Sequence, residues 1–352
     1  MAFDRASVRD ADVSGRRVLA RVDFNVPLDG QRVVDDTRIR AALPTIELLR
    51  EKGAKVILAS HLGRPGGKRV DELSLKPAAD RLGELLDAKV RLSTESTGPI
   101  ARALAESLEP GGVLVLENLR FHEGETDNDP EFALALAELA DIYVNDAFGA
   151  AHRAHASTAG VAATLPSFAG LLLESEVRHL EAVADEPDRP LVVILGGAKV
   201  SDKVGVIDRF IDLADQLLIG GAMCFPFYRA QGISTGDSLV EEDGIPMAAQ
   251  ALEKAAASDC ELLLPGDLVL GREFSADTEH QDLEGVAVPD GWMGLDIGPV
   301  SAVNYAGRIA DAGTVLWNGP MGAFELEAFA AGTRLVAEAV AGAPGFTVVG
   351  GG

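Results

Sequence analysis

Short apolar runs rich in Val, Ile and Leu alternate along this chain with longer runs whose apolar positions recur at helical spacing. The first kind includes "RRVLARVDF" (16–24), "AKVILAS" (54–60), "GGVLVLEN" (111–118), "DIYVNDAF" (141–148), "PLVVILGG" (190–197), "QLLIGG" (216–221), "CELLLPGD" (260–267), "TVLWNGP" (314–320) and "FTVVGG" (346–351). The second kind includes 75–87, 130–140, 201–213, 244–257 and 323–341. Alternating strand and helix patterns predict βαβ units and parallel sheets. The strands are nearly continuously apolar, which suits strands covered on both faces.

One stretch breaks the rhythm. "SFAGLLLESEVRHLEAVAD" (167–185) reads as a single long amphipathic helix, and "EPDRP" (186–190) follows as a polar, proline-bounded break. A chain of 352 residues exceeds the roughly 250–300 at which single cores stop growing. The pattern therefore predicts an α/β protein of two doubly wound, Rossmann-like parallel-sheet domains joined by a long helix. The expected boundaries are 1–166 for the first domain, 167–189 for the linker helix and 190–352 for the second.

Charge narrows the partners. Fifty-five acidic and 31 basic residues leave a net −24, spread along the expected helices rather than massed in a tail. A solvated acidic surface of this kind makes nucleic acid and anionic membranes poor partners. No apolar run reaches the roughly 20 residues of a membrane helix. Cys224 and Cys260 form no disulfide framework. The expectation is a cytoplasmic protein.

Ligands of open α/β sheets bind beyond the carboxyl ends of the strands. In the first half those positions carry Arg21, Asp23, Asn25, His61, Arg64, Arg120 and Arg153, with Arg38 where the next helix begins. Each arginine alone reads as a surface charge. Several at the strand ends of one half, in so acidic a protein, predict a site for a small, multiply anionic ligand, because the guanidinium fork matches phosphate and carboxylate oxygens. The second half offers glycines and lysines instead: "LGGAKVSDK" (195–203), "IGGAM" (219–223), "MGLDIGP" (293–299), "WNGPMGAFE" (317–325) and the terminal "VVGGG". Glycines let backbone N–H groups approach phosphates, and Ser201 and Asp202 predict a helix start beside Lys199 and Lys203. That half reads as a nucleotide cleft, although neither GxxxxGK[ST] nor GxGxxG is present. His152 and His155 have the spacing of metal ligands, but no set completes a site.

"RVDFNVPL", "SHLGRP", "LENLRF", "NDAFGAAHRAHAS", "GGAKVSDK", "GLDIGP" and "WNGPMGAFE" occur in this order. From about residue 15 to the last, the chain closely resembles the phosphoglycerate kinases. The resemblance implies reversible in-line phosphoryl transfer from 1,3-bisphosphoglycerate to Mg-ADP, giving 3-phosphoglycerate and ATP, by a hinge-closing, cytoplasmic monomer. It implies Arg38 and Lys199 as catalytic. Asp23, Asn25, Arg38, His61, Arg64, Arg120 and Arg153 would bind phosphoglycerate, with Arg21 and His152 in support. Gly197, Lys199, Lys203, Gly220, Gly221, Gly294, Asn318, Pro320, Met321, Glu325, Gly350, Gly351 and Gly352 would bind the nucleotide, with Mg2+ as its companion. No metal ligand is assigned within the chain, since the family's magnesium-holding Asp lies beyond the position of Gly352. A chain that stopped there would be expected to bind ligands but turn over weakly. Two alternatives stay open: a binding-only protein, and a carboxylate kinase acting on another substrate.

Overall fold

A computed structural model describes residues 6–350. The chain forms two compact units, Met1–Arg178 and His179–Gly352. In the first unit, strands β1 (Arg17–Arg21), β4 (Lys55–Ala59), β5 (Val90–Leu92), β6 (Val113–Val115), β7 (Ile142–Asn145) and β8 (Ser167–Ala169) make one parallel sheet. Its order is β5-β6-β4-β1-β7-β8. A two-stranded hairpin, β2 (Leu28–Asp29) with β3 (Arg32–Val33), lies in the loop after β1.

The apolar runs behave as two-faced strands. Val18 and Ala20 of β1 pack with Val56, Leu58, Val113, Val115 and Val144 on one face, while Leu19 packs with Ile57, Leu114 and Tyr143 on the other. Successive side chains alternate between two cores, so polar residues are kept out of the strand's middle and gather at and past its ends.

In the second unit, β9 (Leu191–Leu195), β10 (Gln216–Ile219), β11 (Glu261–Leu263), β15 (Thr314–Asn318) and β16 (Phe346–Gly350) form a parallel sheet of order β11-β10-β9-β15-β16. A separate antiparallel sheet holds β12 (Leu268–Gly271) between β13 (His280–Leu283) and β14 (Met293–Ile297).

Several expectations need correction. Residues 167–185 are not one helix: Ser167–Ala169 is the edge strand β8, and the helix runs Leu171–Asp185. The buried Asp146 carboxylate sets the start by accepting from the N–H groups of Leu172 and Leu173 at 2.9 and 3.3 Å. The 260–267 run is one short strand, and the next strand begins at Leu268 in another sheet. "MGLDIGP" is largely strand β14 rather than a glycine loop. The helix expected over 323–341 starts only at Ala331, after a 3-10 turn at Glu327–Phe329.

The two-sided burial has a direct test. Leu19 is fully buried in the central strand, so Leu19→Ala should destabilise the first unit by about 2–5 kcal/mol, read from urea unfolding. A loss below about 1 kcal/mol would contradict burial on both faces.

Candidate active site

In each parallel sheet the chain leaves two adjacent strands in opposite directions: β1 and β7 in the first, β9 and β15 in the second. Such reversals open a crevice at the carboxyl edge.

At the first crevice the side chains are tied to one another. Asp23 Oδ2 accepts from Arg38 Nη1 at 2.6 Å, and its Oδ1 accepts from the Asn25 N–H at 3.0 Å. Asn25 Oδ1 accepts from the Gly63 N–H at 2.8 Å, and the Gly63 carbonyl accepts from Arg120 Nη1 at 2.8 Å. Gly63 has φ +62°, a left-handed conformation that glycine adopts without strain, so its N–H and carbonyl can serve these two neighbours. Arg64, Arg120 and Arg153 line a cavity of about 650 Å³ with His122, Glu123 and His155.

Arg21 is fully buried. Its Nη2 lies 3.1 Å from His61 Nδ1, and its Nε donates to Ser157 Oγ at 2.9 Å. A guanidinium can only donate, so His61 Nδ1 accepts and the ring proton sits on Nε2. Burial, reinforced by the charges of Arg21, Arg120, Arg153 and Arg38, pushes the His61 pKa down to about 2. The ring is therefore a neutral donor throughout the physiological range. Burial and the charges of Arg153 and Arg21 also lower the pKa of Arg120. These mutual effects mark a concentrated positive field within an acidic protein.

The second crevice is closed by backbone. The N–H groups of Gly196, Gly197 and Gly221 donate to the carbonyls of Asn318, Pro320 and Met321 at 2.9, 3.0 and 2.8 Å. A Cβ on Gly221, where φ is +65°, would stand 2.6 Å from Gly197. Lys203 Nζ donates to the carbonyls of Gly196 and Asn318 at 2.6 and 2.8 Å. Lys203 does not lie in the first turn of an α-helix, as expected; it ends a 3-10 turn, Ser201–Lys203, and the α-helix runs Val204–Leu213. The Ser201 hydroxyl donates to Glu241 Oε1 rather than capping that helix.

Beside this crevice lies a cavity of about 610 Å³. Gly197, Gly221, Gly294, Pro320, Met321 and Glu325 line it. Gly220 sits behind Met321, whose sulfur a Cβ there would meet at 2.5 Å. Lys199 is exposed on the neighbouring loop, Gly350 ends β16 opposite Asn318, and Gly351 and Gly352 lie outside the described residues. Sequence reasoning missed the apolar walls, Phe225, Leu239, Leu268, Phe274 and Phe324, and the buried Asp296. In sequence these apolar residues look like ordinary core, and only folding turns them towards a cavity.

The family model for phosphoglycerate kinase matches residues 8–352. A phosphoglycerate kinase of Moorella thermoacetica is 56% identical over 348 residues, 99% of this chain and 88% of the relative. The chain belongs to the phosphoglycerate kinase family. A Synechococcus phosphoglycerate kinase is 54% identical over 352 residues, again covering 99% and 88%. The solved phosphoglycerate kinase of Coxiella burnetii matches with TM-score 0.86 at 42% identity, and that of Pyrococcus horikoshii with 0.83 at 32%, each over 99% of this chain and 88% of the other. The family assignment covers nearly the whole chain, and the expectation of a weakly active short form finds no support in it.

Asp296 allows a pH test. It accepts from the N–H groups of Gly332 and Ile297 at 2.7 and 2.9 Å, yet burial outweighs these bonds and lifts its pKa to about 7. Between about pH 4, where the unfolded carboxyl ionises, and about pH 7, the unfolded chain sheds a proton that the folded one keeps. This group's contribution to stability should therefore fall as pH rises through that window and level off above it. Asp296→Asn should remove that component from urea unfolding midpoints measured across the window; equal pH slopes in the two proteins would show an ordinary carboxyl.

Proposed function

We propose that the guanidinium-rich edge of the first unit binds the phosphoglycerate and that the glycine-lined cavity of the second binds ADP or ATP. The enzyme is a phosphotransferase of the phosphoglycerate kinase family. In the forward direction a β-phosphate oxygen of ADP attacks the acyl phosphorus of 1,3-bisphosphoglycerate. The new P–O bond forms as the acyl P–O bond breaks, and the 3-phosphoglycerate carboxylate leaves.

The observation that carries this reading is the gathering of Asp23, Asn25, Arg38, His61, Arg120 and Arg153 at one sheet edge. Such a transfer asks little covalent work of a protein; it asks for placement and for positive charge where negative charge develops. Asp23 holds the Arg38 guanidinium by one donor and leaves others for an anion. His61 offers a neutral N–H, and Arg64, Arg120 and Arg153 supply charge. Arg38 and Lys199 are assigned to the transferred phosphoryl group. Lys203 spends two of its three donors on carbonyls and keeps one for a nucleotide phosphate.

The apolar cavity receives the base, with Gly197, Gly220, Gly221, Gly294, Asn318, Pro320 and Met321 shaping the groove and Glu325 at its rim for the ribose. Gly350 is assigned to the phosphates. Mg2+ arrives on the nucleotide phosphates as part of the substrate. No group of three or more His, Cys, Asp or Glu among the described residues could hold a metal ion, and no step is assigned to one. Among the described residues no helix is long and apolar enough to cross a membrane. In this reading the protein works in the cytoplasm as a monomer, which its net charge of −24 favours by self-repulsion.

A coupled assay with 3-phosphoglycerate and Mg-ATP tests the assignment. Arg38→Ala should lower kcat by roughly 10²–10³ with the fold intact by circular dichroism. Turnover near the wild-type level would remove Arg38 from the mechanism. Calorimetry should show 3-phosphoglycerate binding to the wild type and clearly weaker binding to Arg120→Ala.

A further inference from the structure

Beneath the basic cluster lies a chain of buried polar groups that ends in Glu125, a residue outside the quoted motifs and outside the cavity linings. Glu125 and Arg21 are fully buried, and Ser157 and Tyr143 each retain 1% exposure. Glu125 grips Ser157 with both carboxylate oxygens: Oε2 accepts from its N–H at 3.0 Å and Oε1 from its hydroxyl at 2.6 Å. The Ser157 carbonyl accepts from the Tyr143 hydroxyl at 2.7 Å. With its proton committed to Glu125, Ser157 Oγ presents a lone pair to Arg21 Nε at 2.9 Å. Arg21 then donates through Nη1 to the Val22 carbonyl and through Nη2 to His61 Nδ1.

Each link depends on the one before it. A buried guanidinium without a counter-charge is costly. The carboxylate nearest along this chain, Glu125, reaches Arg21 only through the serine hydroxyl. The links also come from four separate segments. Arg21 ends β1, and His61 follows β4. Glu125 follows the turn Leu119–Phe121 that carries Arg120. Ser157 sits in a single π-helical turn, Ala156–Gly160, just after Arg153. Single π turns recur at functional sites because they re-aim a side chain. The same four segments bear every residue assigned above to the phosphoglycerate except Arg38, which lies in the helix Thr37–Glu51.

We infer that Glu125 and Ser157 are positioning residues for the phosphoglycerate site: through the Ser157 hydroxyl they lock Arg21, and through Arg21 they hold His61 in the tautomer that offers its Nε2–H to the substrate anion. Nδ1 is occupied as an acceptor from Arg21, so the ring proton stands on Nε2, the donor we assign to a ligand. This rests on the assignment of the cluster as the phosphoglycerate site. It adds that the orientation and proton position of His61 are set by a carboxylate two residues removed from any contact with substrate.

The test uses the full chain and two variants, Ser157→Ala and Glu125→Gln. Ser157→Ala leaves Arg21 Nε without its acceptor. Glu125→Gln sets an amide N–H₂ against a donor of Ser157 and removes the charge. Long-range ¹H–¹⁵N spectra of histidine-labelled protein, with His61 assigned by its absence in His61→Gln, should show the Nε2–H tautomer in the wild type. In either variant they should show a tautomer mixture. In the coupled assay KM for 3-phosphoglycerate should rise roughly tenfold, the scale of one lost charge-assisted hydrogen bond, while KM for Mg-ATP stays within about twofold. Should Glu125→Gln fail to fold, Ser157→Ala carries both readouts.

An unchanged tautomer and an unchanged KM for 3-phosphoglycerate in Ser157→Ala would overturn the inference. So would an equal rise in both KM values, the signature of a structural role alone. The underlying site assignment fails separately, if Arg120→Ala leaves 3-phosphoglycerate binding intact. The tautomer readout stands in that case, because it needs no substrate.

Discussion

A cation spans the crevice of each parallel sheet, and the surrounding polar architecture depends on how its donors are used. In the first unit Arg21, at the end of β1, reaches Ser157 in the segment after β7 and His61 in the loop after β4. In the second, Lys203 joins the carbonyls of Gly196, just past β9, and Asn318, the last residue of β15. Adjacent strands that send the chain in opposite directions leave carbonyls and loops with no helix across them. A buried donor is the economical way to satisfy such groups.

The two crevices use that cation differently. Arg21 spends its donors on Ser157, the Val22 carbonyl and His61, all of them protein groups. Lys203 closes backbone to backbone and keeps one hydrogen outward. The difference follows from geometry. A guanidinium has five fixed donors and can join three partners in a plane, whereas an ammonium is a compact charge with three donors that turn freely. Burial lowers the pKa of Lys203, an effect that two carbonyls, which carry no formal charge, do not reverse.

The first unit also concentrates positive charge in a protein of net −24. His61 shows how that is sustained: burial, reinforced by the charges of Arg21, Arg120, Arg153 and Arg38, keeps the ring neutral, so it adds a donor without adding a charge. Glu125 supplies the opposing charge from below, and burial holds its pKa above the ordinary carboxylate value although Arg21 and Ser157 work to lower it. The compensating carboxylate is fully buried, whereas Arg64 and Arg153 line the open cavity.

Much of this was legible in the residues. Two-faced burial of the strands forces them to be apolar and pushes polar chemistry to their ends, so "RVDFNVP" and "SHLGRP" announced a strand end with polar residues gathered beyond it. Glu125 was not legible, because "FHEGETDND" reads as a solvated loop and only the packing of that loop under the Ser157 turn buries it. The antiparallel sheet escaped because β13, His280–Leu283, is short and polar and carries no apolar strand pattern. Phe225, Phe274 and Phe324 carry no periodic sign that separates a cavity wall from a core. The sequence by itself determined the fold class, the strand–helix alternation and the residue types at the strand ends, because these follow from local pattern and side-chain chemistry. Tertiary structure decided which carboxylate is buried, which nitrogen of His61 carries the proton and which apolar side chains face a cavity. Those depend on contacts between segments far apart in the chain, such as Arg21 with Ser157, that no local pattern encodes.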